Sequence, residues 1–555
     1  MTIRLQLIAP ALGLALLAAC GSDTTEPSPV ARCNTGVAEL NLEPGDFAEV
    51  DPATSDGCIR VPRAGSGGAE YLYVALSTTA DSTPYSLQAG NAPLIASRAP
   101  ISPLPSPTLS AFARPSPAGK FHEMLRHREA LMANRGAGFV AAPPAFSVAP
   151  VVGDKRTFSV CNSTVCNGFV SVTATAKHVG QRVAIYIDDT IPAGGYTQAD
   201  IDSVGMLFDQ YLYPIDTTAF GRESDLDNNG VVVVLLTDAV NRLSGNCPDQ
   251  SVILGYFFGN DLVDNTGSNH GEVFYGLVPD PGGSVAGCSV PKDFATRTLA
   301  PVFIHEFQHM ISFNQHVLIR RGATEATWLN EGLSHFAEEL GARLIPDAAT
   351  GVASGSRFTQ FAFGDVDNAY NYLLNQEATS LIEPAGSTGT LDERGANWLF
   401  VRWLVDQFGA DEIGTQFTRS LVATAQTGVA NVEAITGEDF GTLLLQWQLA
   451  NYLDNLPGFT PASPRLQYLS WNFRNTFSSL NNQAPESFPK PYPLVPDSAV
   501  NAEFSRTGTL RIGSGPHVLM EQGAGSQGLS LQLMSPSGSA IPAGVAARAA
   551  VARIR

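Results

Sequence analysis

The sequence predicts an α+β fold: a central block of strands and helices with a short all-β region on either side. Three observations predict it. Strand-like runs at 155–160, 168–178 and 181–188 precede a helical stripe of Ile201, Val204, Leu207, Phe208 and Tyr211. Further helical runs follow at 296–313, 324–340, 397–409 and 440–453. Before residue 97 and after residue 495, short alternating apolar runs sit between Gly, Pro, Asp and Ser, the pattern of small β modules.

Composition bounds the function. The 555 residues are 44% apolar and 15% charged, a globular balance, and the length calls for two to four domains. A net charge of −19 repels phosphates, which excludes nucleic acid as a partner. Arg4 precedes an apolar run, residues 5–19, that ends in Leu17-Ala18-Ala19-Cys20 and gives way to a polar stretch. This run is too short to span a bilayer and has the layout of a secretory signal. It resembles a bacterial lipoprotein signal, which implies a lipidated Cys20, a membrane anchor, and an exported chain facing the periplasm or the cell exterior. Six other cysteines remain, an even number that suits an oxidising compartment. The simplest pairing is sequential: Cys33 with Cys58, Cys161 with Cys166, and Cys247 with Cys288.

In chain order, the signal (1–20) leads to a polar tether (21–32), a small β domain (33–96) and a Pro/Ser-rich linker with a short helix (97–147). That helix contains His122-Glu123-Met124-Leu125-Arg126-His127, which imitates a metal motif. Its histidines are five apart and diverge around a helix, so a solvated helix is expected. The central domain runs from 148 to 495, and a second β module from 496 to 555. Within the central domain, Asp225-Leu-Asp227-Asn-Asn229-Gly230 matches the first half of a calcium loop. The bidentate glutamate due at position 236 is a leucine. A polar turn feeding the buried strand at 231–236 is therefore the leading reading, with Ca2+ on Asp225, Asp227 and Asn229 the alternative. A strand at 272–278 lies in a Gly/Asn/Pro-rich region just before the next helix, and residues 270–278 are expected to bind a substrate backbone as an added strand.

The chemistry is concentrated in His305-Glu306-Phe307-Gln308-His309 and Trp328-Leu329-Asn330-Glu331-Gly332. On a helix, His305 and His309 share one face and can pinch one ion; Glu306 beside them can take a proton from a water drawn to it. A cap at Thr296 or Thr298 would place Pro301 in the first helical turn. Val302, Phe303, Ile304, Phe307, Met310, Ile311 and Phe313 make this helix apolar nearly all round, and a metal would compensate polar groups buried there. No third histidine follows at usable spacing: Gln315 stands where one would be needed, and His316 is about two turns away. Glu331 is therefore the expected third ligand, with Glu325 a competitor at the start of its helix.

These two stretches resemble the glutamate-zincin metallopeptidases, most of all the hyicolysin family, and Trp328-Leu-Asn-Glu-Gly332 is also similar to the aminopeptidase N family. The likeness covers roughly residues 155–455. It implies a zincin-like catalytic domain, a mixed sheet plus two metal-binding helices, between the small all-β domains. Carried over by position, one Zn2+ is bound by His305, His309 and Glu331, and Glu306 is the general base and acid. Where related enzymes have an aspartate one turn after the ligand glutamate, this chain has His335; Glu338, a turn further, could orient a ligand histidine. Tyr370 and Tyr372 are candidates for stabilising the oxyanion. The resulting expectation is a lipid-anchored zinc endopeptidase acting on protein or peptide substrates. A surface adhesion protein on an inactive scaffold and an aminopeptidase are the alternatives.

Overall fold

A computed structural model describes residues 33, 37–79, 82–91, 117–134, 148–245, 252–349, 356–382, 389–500 and 504–555. Cys20 with its signal-like run, and Cys247, lie outside these residues. The class is α+β, as the alternation of patterns predicts. Among the described residues no helix is long and apolar enough to cross a membrane.

The N-terminal strands are β1 (Phe47–Val50), β2 (Cys58–Val61), β3 (Ala69–Ser77) and β4 (Thr83–Asn91), and helix α1 (Pro117–Ala133) follows. The central sheet contains β5 (Lys155–Cys161), β6 (Phe169–Val179), β7 (Val183–Asp188), β8 (Val232–Leu236), β9 (Gly255–Phe257) and β10 (Val273–Gly276). Its order is β5-β6-β7-β8-β10-β9. Every residue of β7 and β8 is buried, and β8 is the unbroken Val/Leu run expected in the middle of a covered sheet. β10 is hydrogen-bonded on both sides, to β8 in parallel and to β9 antiparallel. It cannot accept a substrate as an added strand, contrary to the expectation for residues 270–278; the short strand β9 holds that edge.

Between β7 and β8 lie α2 (Gln198–Leu207), a π-helical turn (Phe208–Leu212) and α3 (Tyr213–Ala219); α4 (Asp238–Leu243) follows β8. The helical layer then comprises α5 (Lys292–Phe313), α6 (Thr327–Leu344), α7 (Ser356–Leu374), α8 (Leu391–Phe408), α9 (Thr415–Val422), α10 (Gly428–Thr436), α11 (Phe440–Leu453) and α12 (Phe473–Gln483). α5 starts at Lys292, so Pro301 is interior to it and not in its first turn. A proline there leaves the carbonyl four residues back without its helical donor. That carbonyl, of Arg297, accepts instead from Gln360 Nε2 of α7 at 3.0 Å.

The last strands are β11 (Asp497–Val500), β12 (Phe504–Leu510), β13 (His517–Gln522), β14 (Leu529–Met534) and β15 (Ala547–Arg553). They do not form a module of their own. One sheet has the order β1-β15-β3-β13-β11 and the other β12-β4-β14-β2, so the two ends of the chain interleave into one sandwich. Neither end holds a sheet alone, because β3 has only C-terminal strands as neighbours and β2 pairs with β14. Alternation along β3 explains its two-sided burial. Tyr71, Tyr73 and Ala75 fill the sandwich interior, whereas Leu72, Val74 and Leu76 join the core of the central domain. Disulfides join Cys33 to Cys58 and Cys161 to Cys166.

Candidate metal centre

α5 and α6 lie side by side and bring the two sequence stretches together. One ligand atom from each of His305, His309 and Glu331 lies within 4.8 Å of the others. His305 Nε2 is 3.5 Å from Glu331 Oε2, and His309 Nε2 is 3.6 Å from Glu331 Oε1. Such spacings are long for hydrogen bonds but match donors placed about 2.0–2.2 Å from a shared tetrahedral ion.

The orientation of each histidine supports the fit. His305 Nδ1 is 2.8 Å from Glu338 Oε1, so its proton belongs on Nδ1 and Nε2 is left with a lone pair. His309 Nδ1 is 3.1 Å from Ser334 Oγ, whose own proton goes to Gln308 Oε1. Both Nε2 lone pairs therefore face Glu331, whose buried Oε1 has no hydrogen-bond partner. Arg394 pairs with the other oxygen of Glu331, and the three converging acceptors, with no donor among them, call for a further positive charge between them. Without an ion that charge is a proton. Burial opposes it on His305, but the carboxylates of Glu331 and Glu338 outweigh burial and push the pKa up to about 10. Metal binding would displace that proton.

A second group, His305, His335 and Glu338, shares one histidine with the first. Its atoms are too close for co-ligands: His335 Nδ1 lies 3.0 Å from Glu338 Oε1 and 2.8 Å from Asp365 Oδ1. These are direct ion-pair distances, so this group is a brace behind His305. Glu338 thus stands where the sequence expectation placed it, and His335 braces Glu338.

Glu306 is 1% exposed, and its Oε2 accepts from the Phe257 amide of β9 at 2.9 Å. Burial raises its pKa from the ordinary carboxylate value. Glu325 is no competitor for the ion. Its carboxylate accepts from the amides of Ala326 and Gly428 and from Asn431 Nδ2, fastening the entrance of α6 to α10.

The tyrosines are corrected. Tyr370 hydroxyl donates to Lys490 O and accepts from Lys490 N, while Tyr372 hydroxyl accepts from Gln448 Nε2 and its ring stacks on Trp447. Both are packing residues fixed by partners outside the metal cluster, which leaves neither hydroxyl for an oxyanion. At the Asp225–Gly230 turn, Asn229 Oδ1 accepts from the Val231 amide, and Glu272 brings a carboxylate oxygen within 4.8 Å of those of Asp225 and Asp227.

Two groups at the site escape sequence reasoning. Arg394 of α8 pairs through Nη1 with Glu331 Oε2, both side chains being buried. Gly332 makes this approach possible, since a Cβ there would come within 2.7 Å of Asn397 O on α8. His122 of α1 lies 3.4 Å from Glu306 Oε1. Helix α1 is therefore not a solvated helix: Phe121, Leu125, Arg126, Glu129 and Met132 are buried on it. The signal was the i, i+4, i+7 spacing of His122, Arg126 and Glu129 on one face, hidden by the more conspicuous His122–His127 pair.

No family model matches the chain. Over 237 residues it is 27% identical to the neutral metalloprotease ShpI of Staphylococcus hyicus. That alignment takes in 40% of this chain and 51% of the relative, so the chain spans about half the length of the curated protein it matches. The chain is a distant homologue of a metalloprotease.

Proposed function

We propose that the chain is a zinc-dependent endopeptidase of the glutamate-zincin type, similar to the hyicolysin family, with His305, His309 and Glu331 as zinc ligands and Glu306 as general base. The observation that carries this reading is the convergence of two Nε2 lone pairs and the unpartnered Glu331 Oε1 beside a buried glutamate that faces an edge strand. When bound, the ion supplies Lewis acidity toward a peptide carbonyl and lowers the pKa of a water. Glu306 takes the proton from the attacking water on its carboxylate and returns it to the leaving amine. Glu338 and Ser334 hold the two imidazoles in the tautomer that binding needs. The substrate is a protein or peptide. Export and a lipid anchor on Cys20 belong to the same proposal and rest on the sequence of residues 1–20.

The test is elemental analysis together with digestion of a peptide library containing N-terminally blocked members. About one zinc per chain is expected, with internal cleavage of blocked peptides that a chelator abolishes and added zinc restores. Chains purified and dialysed against zinc that retain none would overturn the reading. Cleavage confined to unblocked peptides would make the enzyme an aminopeptidase.

A further inference from the structure

We propose that Asp225, Asp227 and Glu272 form a second cation site, of calcium type, that joins the turn before β8 to the start of β10. Parallel pairing builds it: Val273 of β10 lies opposite Val233 of β8, so Glu272 arrives beside the Asp225–Gly230 turn. One carboxylate oxygen from each residue lies within 4.8 Å of the others. Glu272 is 1% exposed; its Oε1 accepts from Ser224 Oγ and from the Leu226 amide, and its buried Oε2 has no hydrogen-bond partner. An orphaned, fully buried carboxylate oxygen next to two aspartates is a ligand atom lacking its cation. Arg156 acts on Asp227, but Asp225 and Asp227 repel each other, and Asp227 repels Glu272. Burial accordingly pushes Asp227 up to about 6 and Glu272 up to about 7. All-oxygen donors select a hard ion such as Ca2+. Glu272 takes the place of the glutamate missing at position 236, from a neighbouring strand in place of the same loop.

The experiment uses the full zinc-loaded chain. Equilibrium dialysis with radioactive calcium should find one site beyond the zinc, and calcium at about 100-fold over Kd should raise Tm by about 5 °C. Glu272→Gln should abolish both effects, yet without calcium it should melt no lower than the parent, because it removes an uncompensated buried charge. A parent chain that binds no calcium, or a Glu272→Gln chain that binds it equally well, overturns the site.

We infer separately, on contacts that do not involve that site and on the peptidase reading, that α1 is an autoinhibitory helix seated in the substrate cleft. Outward-facing groups of the free edge at Phe257, and the amide of Gly259 just beyond it, are taken. Phe257 N donates to Glu306, Phe257 O accepts from Arg126 Nη2 at 2.7 Å, and Gly259 N donates to Glu129 Oε1 at 2.7 Å. An extended peptide pairing with this edge would need the same carbonyl and amide. His122 closes over Glu306, and Phe121 packs edge-on against Tyr256 of β9. The centre is buried as a result, with Glu306 1%, Glu331 2% and His305 6% exposed.

Phe121→Asp with Leu125→Asp places charges in the apolar seat of α1 and leaves Arg126, Glu129 and the metal ligands unsubstituted. Affinity for an N-blocked peptide hydroxamate should rise at least about 10-fold, and hydrolysis of a blocked peptide should rise with it. A melting curve confirms that the central domain remains folded. Unchanged hydroxamate affinity in the folded variant overturns the inhibitory role. Tighter hydroxamate binding with no hydrolysis by either chain would keep the occlusion and sink the peptidase reading instead.

Discussion

Replacing Glu306 by Gln, in the chain with α1 displaced, should leave about one zinc per chain and lower hydrolysis of a blocked peptide about 10²–10⁴-fold. The zinc should stay because Glu306 is not among the converging ligand atoms. Local geometry should stay because a glutamine oxygen can still accept from the Phe257 amide. What is lost is the group that takes up a proton: a carboxylate whose pKa burial has raised is replaced by an amide that cannot hold one. Single-turnover hydrolysis and elemental analysis on the same sample check both halves. Full activity in the variant would remove Glu306 from the mechanism, and loss of zinc would move it into the ligand set.

Glu331→Ala should bind no stoichiometric zinc and should also be less stable by about 3–5 kcal/mol, the usual cost of stranding one member of a buried ion pair. The stranded member is Arg394, whose side chain is 9% exposed and pairs with Glu331 Oε2. The double variant Glu331→Ala with Arg394→Ala should regain much of the stability and none of the zinc. Denaturant melts and elemental analysis of parent, single and double variants separate the two roles of this carboxylate. Full zinc occupancy in the single variant would exclude Glu331 as a ligand.

Much of the candidate centre could be read from residue spacing. His305 and His309 share a helical face whatever surrounds them, and the absence of a usable third histidine directed attention to Glu331. Glu338, two turns along the helix of Glu331, came from the resemblance to the aminopeptidase-like pattern. Strand and helix positions were also legible where the pattern was long, as in β7, β8 and α11. The errors arose where an element's partner lies far away in sequence. Tyr370 and Tyr372 looked available until Lys490, Gln448 and Trp447 claimed them. Pro301 looked like a helix start because Gln360, 59 positions later, supplies the hydrogen bond that makes it tolerable inside α5.

Local spacing determined the candidate ligand pair, the proposed general base beside it and the helices that carry them, because neighbours on one helix are set by its pitch alone. Tertiary structure decided which edge strand faces Glu306, that Arg394 neutralises half of Glu331, and that the two ends of the chain share one sandwich. It also set His122 of α1 against Glu306 and Glu272 beside the Asp225–Asp227 turn. Each of these is a meeting of distant segments, fixed by sheet order and by the need to compensate buried charge. Of these meetings only the burial of α1 leaves a local pattern, the spacing of His122, Arg126 and Glu129.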